Sequence, residues 1–133
     1  MSLFPFPSFD HYWAMWNETD PDKIRGHLEK AVTPDFEFCD PLHFHVGYDA
    51  LEANVRALRA EHRDARFAAA SAIDQHHNRL RYNWEFRKGR HLVLVGLDIV
   101  TLADNGLIQR IDGFFGPLAP LPPTEAESAA QAV

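Results

Sequence analysis

Asp98 stands in the middle of H-L-V-L-V-G-L-D-I-V-T-L, residues His91–Leu102. The run has the length and β-branched content of a strand, and it is apolar at odd and even positions alike. Such a strand is covered on both faces, which buries the carboxyl. An unpaired buried carboxylate is costly, so the group is paired, hydrogen-bonded or held protonated. Two accounts stay open: a structural Asp met by a backbone donor or a bulge, and a carboxyl of raised proton affinity used in a pocket. A second acid, Asp40, ends the predicted strand D-F-E-F-C-D, Asp35–Asp40, just before Pro41. Phe36, Phe38 and Asp40 share one face by the period of two, and Glu37 and Cys39 share the other. If the phenylalanines face the core, Asp40 faces it from the strand end, where a general base belongs. The plainer account is that Asp-Pro opens a turn.

Tyr12 belongs to the stripe Phe9, Tyr12, Trp13 and Trp16, spaced i, i+3, i+4, i+7. That spacing predicts one apolar face of a helix over Ser8–Asn17, with Ser8 as its N-cap. The stripe carries a hydroxyl inward, and a buried hydroxyl needs a partner. His43-x-His45 lies near Asp40; with that carboxylate it would offer three metal ligands. The spacing matches no metal motif, and solvated loop histidines are the expectation, with no metal. His76-His77 reads as a polar hairpin tip.

These residues need elements to position them. Asp20 caps a second helix, Pro21 takes its first position, and Ile24, Leu28 and Ala31 make its buried stripe until Thr33-Pro34 stops it. A third helix runs from Gly47 to about His62, with Leu51, Val55, Leu58 and His62 inward and its Arg and Glu residues in solvent. The rest is sheet. Arg66–Gln75 is one predicted strand, with Phe67, Ala69, Ser71 and Ile73 on one face and Ala68, Ala70 and Ala72 on the other. Small residues on both faces point to close approach by a helix or another subunit. Leu80–Lys88 alternates, with Leu80, Tyr82, Trp84 and Phe86 inward. Ala103-Asp104-Asn105-Gly106 is a hairpin signal, and Leu107–Gly116 is the last strand. Helices followed by strands argue α+β: three helices packed on a curved, mainly antiparallel sheet of four to six strands, forming a cone with an internal cavity. No helix is left for the outer face of the Asp98 strand, so a homodimer through the sheet is expected to cover it.

Composition narrows the class. The chain has 133 residues, 46% of them hydrophobic, with 10 Phe, 3 Trp and 3 Tyr and a net charge of −6. One domain over 1–116 and a mobile Pro- and Ala-rich tail over 117–133 are expected. No Lys/Arg-rich run suggests nucleic acid, and no stretch is long enough to span a membrane. The first residues, M-S-L-F-P-F-P-S-F, lack the features of a signal peptide. Cys39 is the single cysteine, so no intrachain disulfide forms and a reducing cytoplasm is the expected compartment.

The words W-x-x-W-N-x-x-D, F-C-D-P, G-Y-D-A-L, R-Y-N-W, G-L-D-I-V and G-F-F-G, in that order over about residues 8–116, resemble the nuclear transport factor 2-like superfamily. More narrowly they are similar to its SnoaL-like and ketosteroid-isomerase-like enzymes. The resemblance implies Asp40, before Pro41, as general base. It implies an oxyanion hole of Tyr12, which keeps the spacing to Asn17 and Asp20, and a protonated Asp98. It also implies a pocket wall at Phe115. The chemistry implied is cofactor-free proton transfer α to a carbonyl, giving isomerisation or cyclisation of a small apolar or aromatic carbonyl compound. Trp16, Phe36, Phe38, His43, Tyr82, Trp84 and Phe115 are the expected ligand-binding residues, and the bulk of Trp13, Trp16, Tyr82 and Trp84 favours a ligand smaller or flatter than a steroid. Arg81-x-Asn83 lacks the acid that the epoxide hydrolases of this superfamily need. A non-catalytic binding or dimerisation module of the same fold is the alternative, because this fold hosts both.

Overall fold

The computed structural model describes residues 6–126; the first five residues and the end of the expected tail, 127–133, lie outside them. The elements, in chain order, are α1 (Pro7–Asn17), α2 (Pro21–Ala31), β1 (Val32–Cys39), β2 (Phe44–Val46), α3 (Tyr48–Glu61), β3 (Ala65–Ala69), β4 (Asp74–His76), β5 (Arg79–Lys88), β6 (His91–Leu102) and β7 (Ile108–Phe115). Three helices lie against a curved, mixed sheet of seven strands, ordered β2-β1-β7-β6-β5-β3 with β4 also on β5. Every pairing is antiparallel except β1 with β7. This is the expected α+β architecture, with more strands than the four to six expected. None of the helices described is long and apolar enough to cross a membrane.

The helices form for legible reasons. In α2 the Asp20 side chain accepts from the Asp22 N–H at 3.0 Å, Pro21 stands in the first turn, and Ile24, Leu28 and Ala31 are buried. In α1 the cap differs from the expectation. Pro7 starts the helix one residue early, so Ser8 falls inside the first turn and does not cap. Its buried hydroxyl donates instead to the Gly106 carbonyl at 2.7 Å, tying α1 to the β6–β7 turn. At the other end of α1, Asn17 acts like a strand neighbour. It accepts from Phe67 N–H at 2.8 Å and donates to Phe67 C=O at 3.0 Å, which docks the helix on the edge strand β3.

Two further expectations change. The predicted strand 66–75 is broken: β3 ends at Ala69 opposite Trp84 and β4 starts at Asp74 opposite Arg81, so residues 70–73 bulge against 82–83. The Ser71 hydroxyl, accepting from Asn83 N–H at 2.8 Å, stands in for a ladder carbonyl. Alanine holds a strand poorly, and this edge is exposed: Ala68, Ala70 and Ala72 all face outward to solvent. Arg59, assigned to the solvated face of the third helix, is buried. Its guanidinium donates to Ala65 C=O at 2.6 Å and Arg63 C=O at 2.8 Å, closing the turn that leaves α3. By contrast β5 alternates as expected, with Leu80, Tyr82, Trp84 and Phe86 buried.

Candidate active site

Helices and sheet enclose a cavity of about 420 Å³. Its walls are aromatic: Trp16 from α1, Phe38 from β1, Phe67 from β3, Trp84 and Phe86 from β5, and Phe115 from β7. Tyr12, Asp40 and Asp98 are among the oxygen-bearing side chains that line this largely apolar space.

Strand register brings the two acids together. Asp98 pairs with Gly113 across β6 and β7, and Cys39 pairs with Asp112 across β1 and β7, which sets Asp40 beside Gly113. A Cβ on residue 113 would stand 3.1 Å from Asp98 Oδ1 and 3.4 Å from the Asp40 Cβ. Glycine there leaves the space between the two carboxyls open to the cavity.

Asp98 is half-buried on the cavity wall and not orphaned. Its Oδ1 accepts from the Trp84 indole N–H at 3.0 Å and its Oδ2 from the Tyr82 hydroxyl at 3.2 Å. Its pKa is raised to about 7: burial pushes it up, the hydrogen bonds from Trp84 and Tyr82 pull it down in part, and the nearby Asp40 charge adds to the rise. Near neutral pH the group is thus poised between acid and anion. The Trp84 donor reaches it because residue 96, opposite Trp84, is glycine: any Cβ there would overlap the indole and the Phe114 carbonyl oxygen. A glycine inside a strand marks such close approach, and G-L-D-I-V and D-G-F-F both carry that signal.

Tyr12 is buried on α1, and burial, then the charge of Asp98, hold its phenol pKa well above the usual value, while a hydrogen bond with Trp16 works the other way. The phenol is therefore a donor at any ordinary pH. Asp40 is anchored by its own turn. Its Oδ1 accepts from the N–H of Leu42 and of His43, both at 2.8 Å, and lies 3.1 Å from His43 Nδ1. Among the described residues the hydrogen bonds to this carboxylate all fall on Oδ1, which leaves Oδ2 open. The side chain keeps 12% of its surface exposed, at the edge of the cavity.

Of the residues named from sequence, Tyr12, Trp16, Phe38, Asp40, His43, Trp84, Asp98 and Phe115 line this one cavity. Phe36 does not: it is sealed in the core with no exposed surface, beside Phe38. Tyr82 does not line it either. It stands opposite Asp98 on the neighbouring strand, gives its hydroxyl to that carboxyl, and packs its ring against Phe9 and Trp13. His45 stacks on Phe38 with centroids 5.0 Å apart and faces Asn54 with Nε2 at 3.1 Å, so it and His43 do not share one ligand point with Asp40. No group of three or more potential metal-ligating side chains occurs among the described residues. Trp13, one of the aromatics expected to crowd the site, lines it too, and unforeseen wall residues include Asn54, Leu58, Glu61, His62 and Phe67. The inward stripe of the third helix was the available signal for Leu58 and His62; nothing in sequence placed it over a cavity instead of a core.

Residues 9–111 match the family of SnoaL-like domains. Among solved structures, a candidate isomerase of the SnoaL-like family from Agrobacterium tumefaciens is similar over 83% of this chain and 95% of its own, at 29% identity and a TM-score of 0.76. An NTF2-like protein of unknown function from Exiguobacterium is 16% identical over 84% of this chain and 99% of its own, with a TM-score of 0.68. A candidate SnoaL-like polyketide cyclase from Jannaschia is 13% identical over 81% and 84% of the two chains, with a TM-score of 0.62. These last two likenesses are of fold alone. No curated protein matches the sequence.

Proposed function

This chain belongs to the SnoaL-like domain family, and on that premise we propose that it moves a proton α to a carbonyl without a cofactor, isomerising or cyclising a small carbonyl compound. One observation carries the reading: two unlike carboxyls meet across Gly113 in an apolar cavity, Asp98 half-buried and poised near neutrality, Asp40 at the edge with Oδ2 open. Asp40 takes the proton on Oδ2. Tyr12 and neutral Asp98 donate to the enolate oxygen as it gains charge, in a site where such bonds weigh most. Neutral Asp98 still accepts from Trp84, and the rotatable Tyr82 hydroxyl turns from donor to acceptor until a ligand oxygen arrives. The proton is then returned to another carbon, or the enolate carbon attacks a second carbonyl of the same ligand, whose π pair moves to its oxygen and takes the proton back from Asp40.

The neighbour named as a candidate isomerase and the one named as a candidate cyclase are in keeping with this class of chemistry. At about 420 Å³ the cavity lies toward the small end of ligand sites, roughly 300–1,000 Å³, which favours a compact, flat, apolar or aromatic carbonyl compound. We place it in a reducing cytoplasm, since its one cysteine, Cys39, is unpaired. A second copy is proposed to cover the outer sheet face, where Leu97 lies opposite Phe114 and Phe114 is 56% exposed.

The alternative, a binding module without turnover, draws on the two donors already on Asp98, an arrangement that also suits a permanently ionised structural acid. Binding of a graded naphthol and phenol series, followed by fluorescence, separates the two. The enzyme reading expects tighter binding of the more acidic phenols, and a loss of about 1.5–3 kcal/mol in Tyr12→Phe or Asp98→Leu, as for charge-assisted bonds. Binding indifferent to both changes sinks the oxyanion hole.

A further inference from the structure

The turn after β1 does more than end a strand. Asp40 N–H donates to His43 C=O at 2.9 Å and His43 N–H returns to Asp40 C=O at 3.3 Å, so residues 40–43 form a closed loop. Within it three donors converge on one atom, Asp40 Oδ1: the N–H groups of Leu42 and His43, and the His43 ring at 3.1 Å. An ionised carboxylate only accepts, so the ring nitrogen facing it, Nδ1, carries the hydrogen. Both side chains line the cavity, Asp40 nearly buried and His43 nearer the opening.

We propose that His43 is a positioning residue for Asp40: its Nδ1–H, with the two backbone donors, saturates Oδ1, fixes the plane of the carboxylate, and leaves Oδ2 as the oxygen that takes the proton. The two backbone donors come from the turn itself, and the ring donor adds a third point of attachment from a side chain. This role rests on the proton transfer proposed above and adds to it a residue that need not touch the substrate. His45, one alternate position on, is turned away to Asn54 and cannot substitute.

The test uses 5-nitrobenzisoxazole, a small planar carbon acid. Its ring C–H proton passes to the base, the C–H electron pair completes a nitrile, and the N–O bond breaks to give a coloured phenolate. Turnover is followed in the full chain and in His43→Ala, His43→Gln and His43→Asn; of the three only Asn puts an amide N–H where Nδ1–H stood. Melting temperature and 2-naphthol binding confirm that each variant is folded with its cavity intact. His43→Ala and His43→Gln should lower kcat by about ten- to a hundredfold with little change in KM, the scale of a misplaced catalytic group. His43→Asn should regain most of the rate. Wild-type turnover with His43→Ala within twofold of it, or His43→Asn as slow as His43→Ala, overturns this role and leaves the proton-transfer reading standing. A silent wild type overturns both.

Discussion

Replacing Asp98 by Asn tests the state of the half-buried acid without any knowledge of the substrate. The amide is nearly isosteric, its oxygen can accept from Trp84, and its nitrogen can donate to the Tyr82 oxygen. In the native protein Asp98 holds its proton up to about pH 7, whereas the unfolded chain releases it near the ordinary value for Asp, about 4. Between these two pKa values the native state binds more protons than the unfolded state, so stability falls as pH rises through the window and levels off above 7. Each unit within the window is worth about 1.4 kcal/mol. From pH 5 to 8 the wild type should therefore lose on the order of 2–3 kcal/mol through this one group, about two units' worth, because the contribution ends near pH 7. Urea unfolding of both proteins at pH 5, 6, 7 and 8 gives the double difference, in which the other titrating groups cancel. Asp98→Asn should lack this slope and gain on the wild type as pH rises. Parallel curves from pH 5 to 8 would show that Asp98 ionises early, and the neutral donor required for an oxyanion hole would be gone.

Three more outcomes follow from the geometry. Trp84→Phe keeps the ring over Gly96 but removes the donor to Asp98, so the carboxyl should titrate about one unit higher, read by NMR of ¹³C-labelled aspartate. Gly96→Ala drives a methyl into the Trp84 indole and the Phe114 carbonyl, and should cost about 1–3 kcal/mol in urea unfolding together with loss of naphthol binding. Asn17→Ala strips both backbone groups of Phe67 of their partner and should destabilise by about 1–3 kcal/mol, with faster amide exchange confined to β3 and the end of α1.

The outer sheet face, by contrast, is a matter of assembly. A charge at its centre, Phe114→Glu, should leave the fold intact and shift sedimentation toward a monomer. A monomeric wild type would remove the case for a dimer through the sheet.

Local sequence was enough for anything governed by a local period or a cap. The alternation of Leu80–Lys88, the Asp20-Pro21 start of α2 and the shared face of Phe38 and Asp40 all follow from backbone geometry within a few residues. The burial of Asp98 followed from the apolar run around it. Local reasoning failed where a neighbour far along the chain decided the outcome. Ser8 bonds Gly106 instead of capping a helix, and Arg59 closes a turn instead of facing water. Tyr82 and Phe36 point inward as predicted, yet inward means core for both, while Phe38 and Trp84 on the same strands face a cavity. That distinction depends on how far the helices stand from the sheet at each level, which no period encodes. The site itself is a product of register. Antiparallel pairing sets Tyr82 opposite Asp98 and Trp84 opposite Gly96, and the single parallel pairing of β1 with β7 carries Asp40 to the other side of Gly113. Residue types along the chain determined which groups could do chemistry; the pairing of strands 16 and 73 residues apart in sequence, read from Tyr82 with Asp98 and Glu37 with Arg110, decided which of them meet.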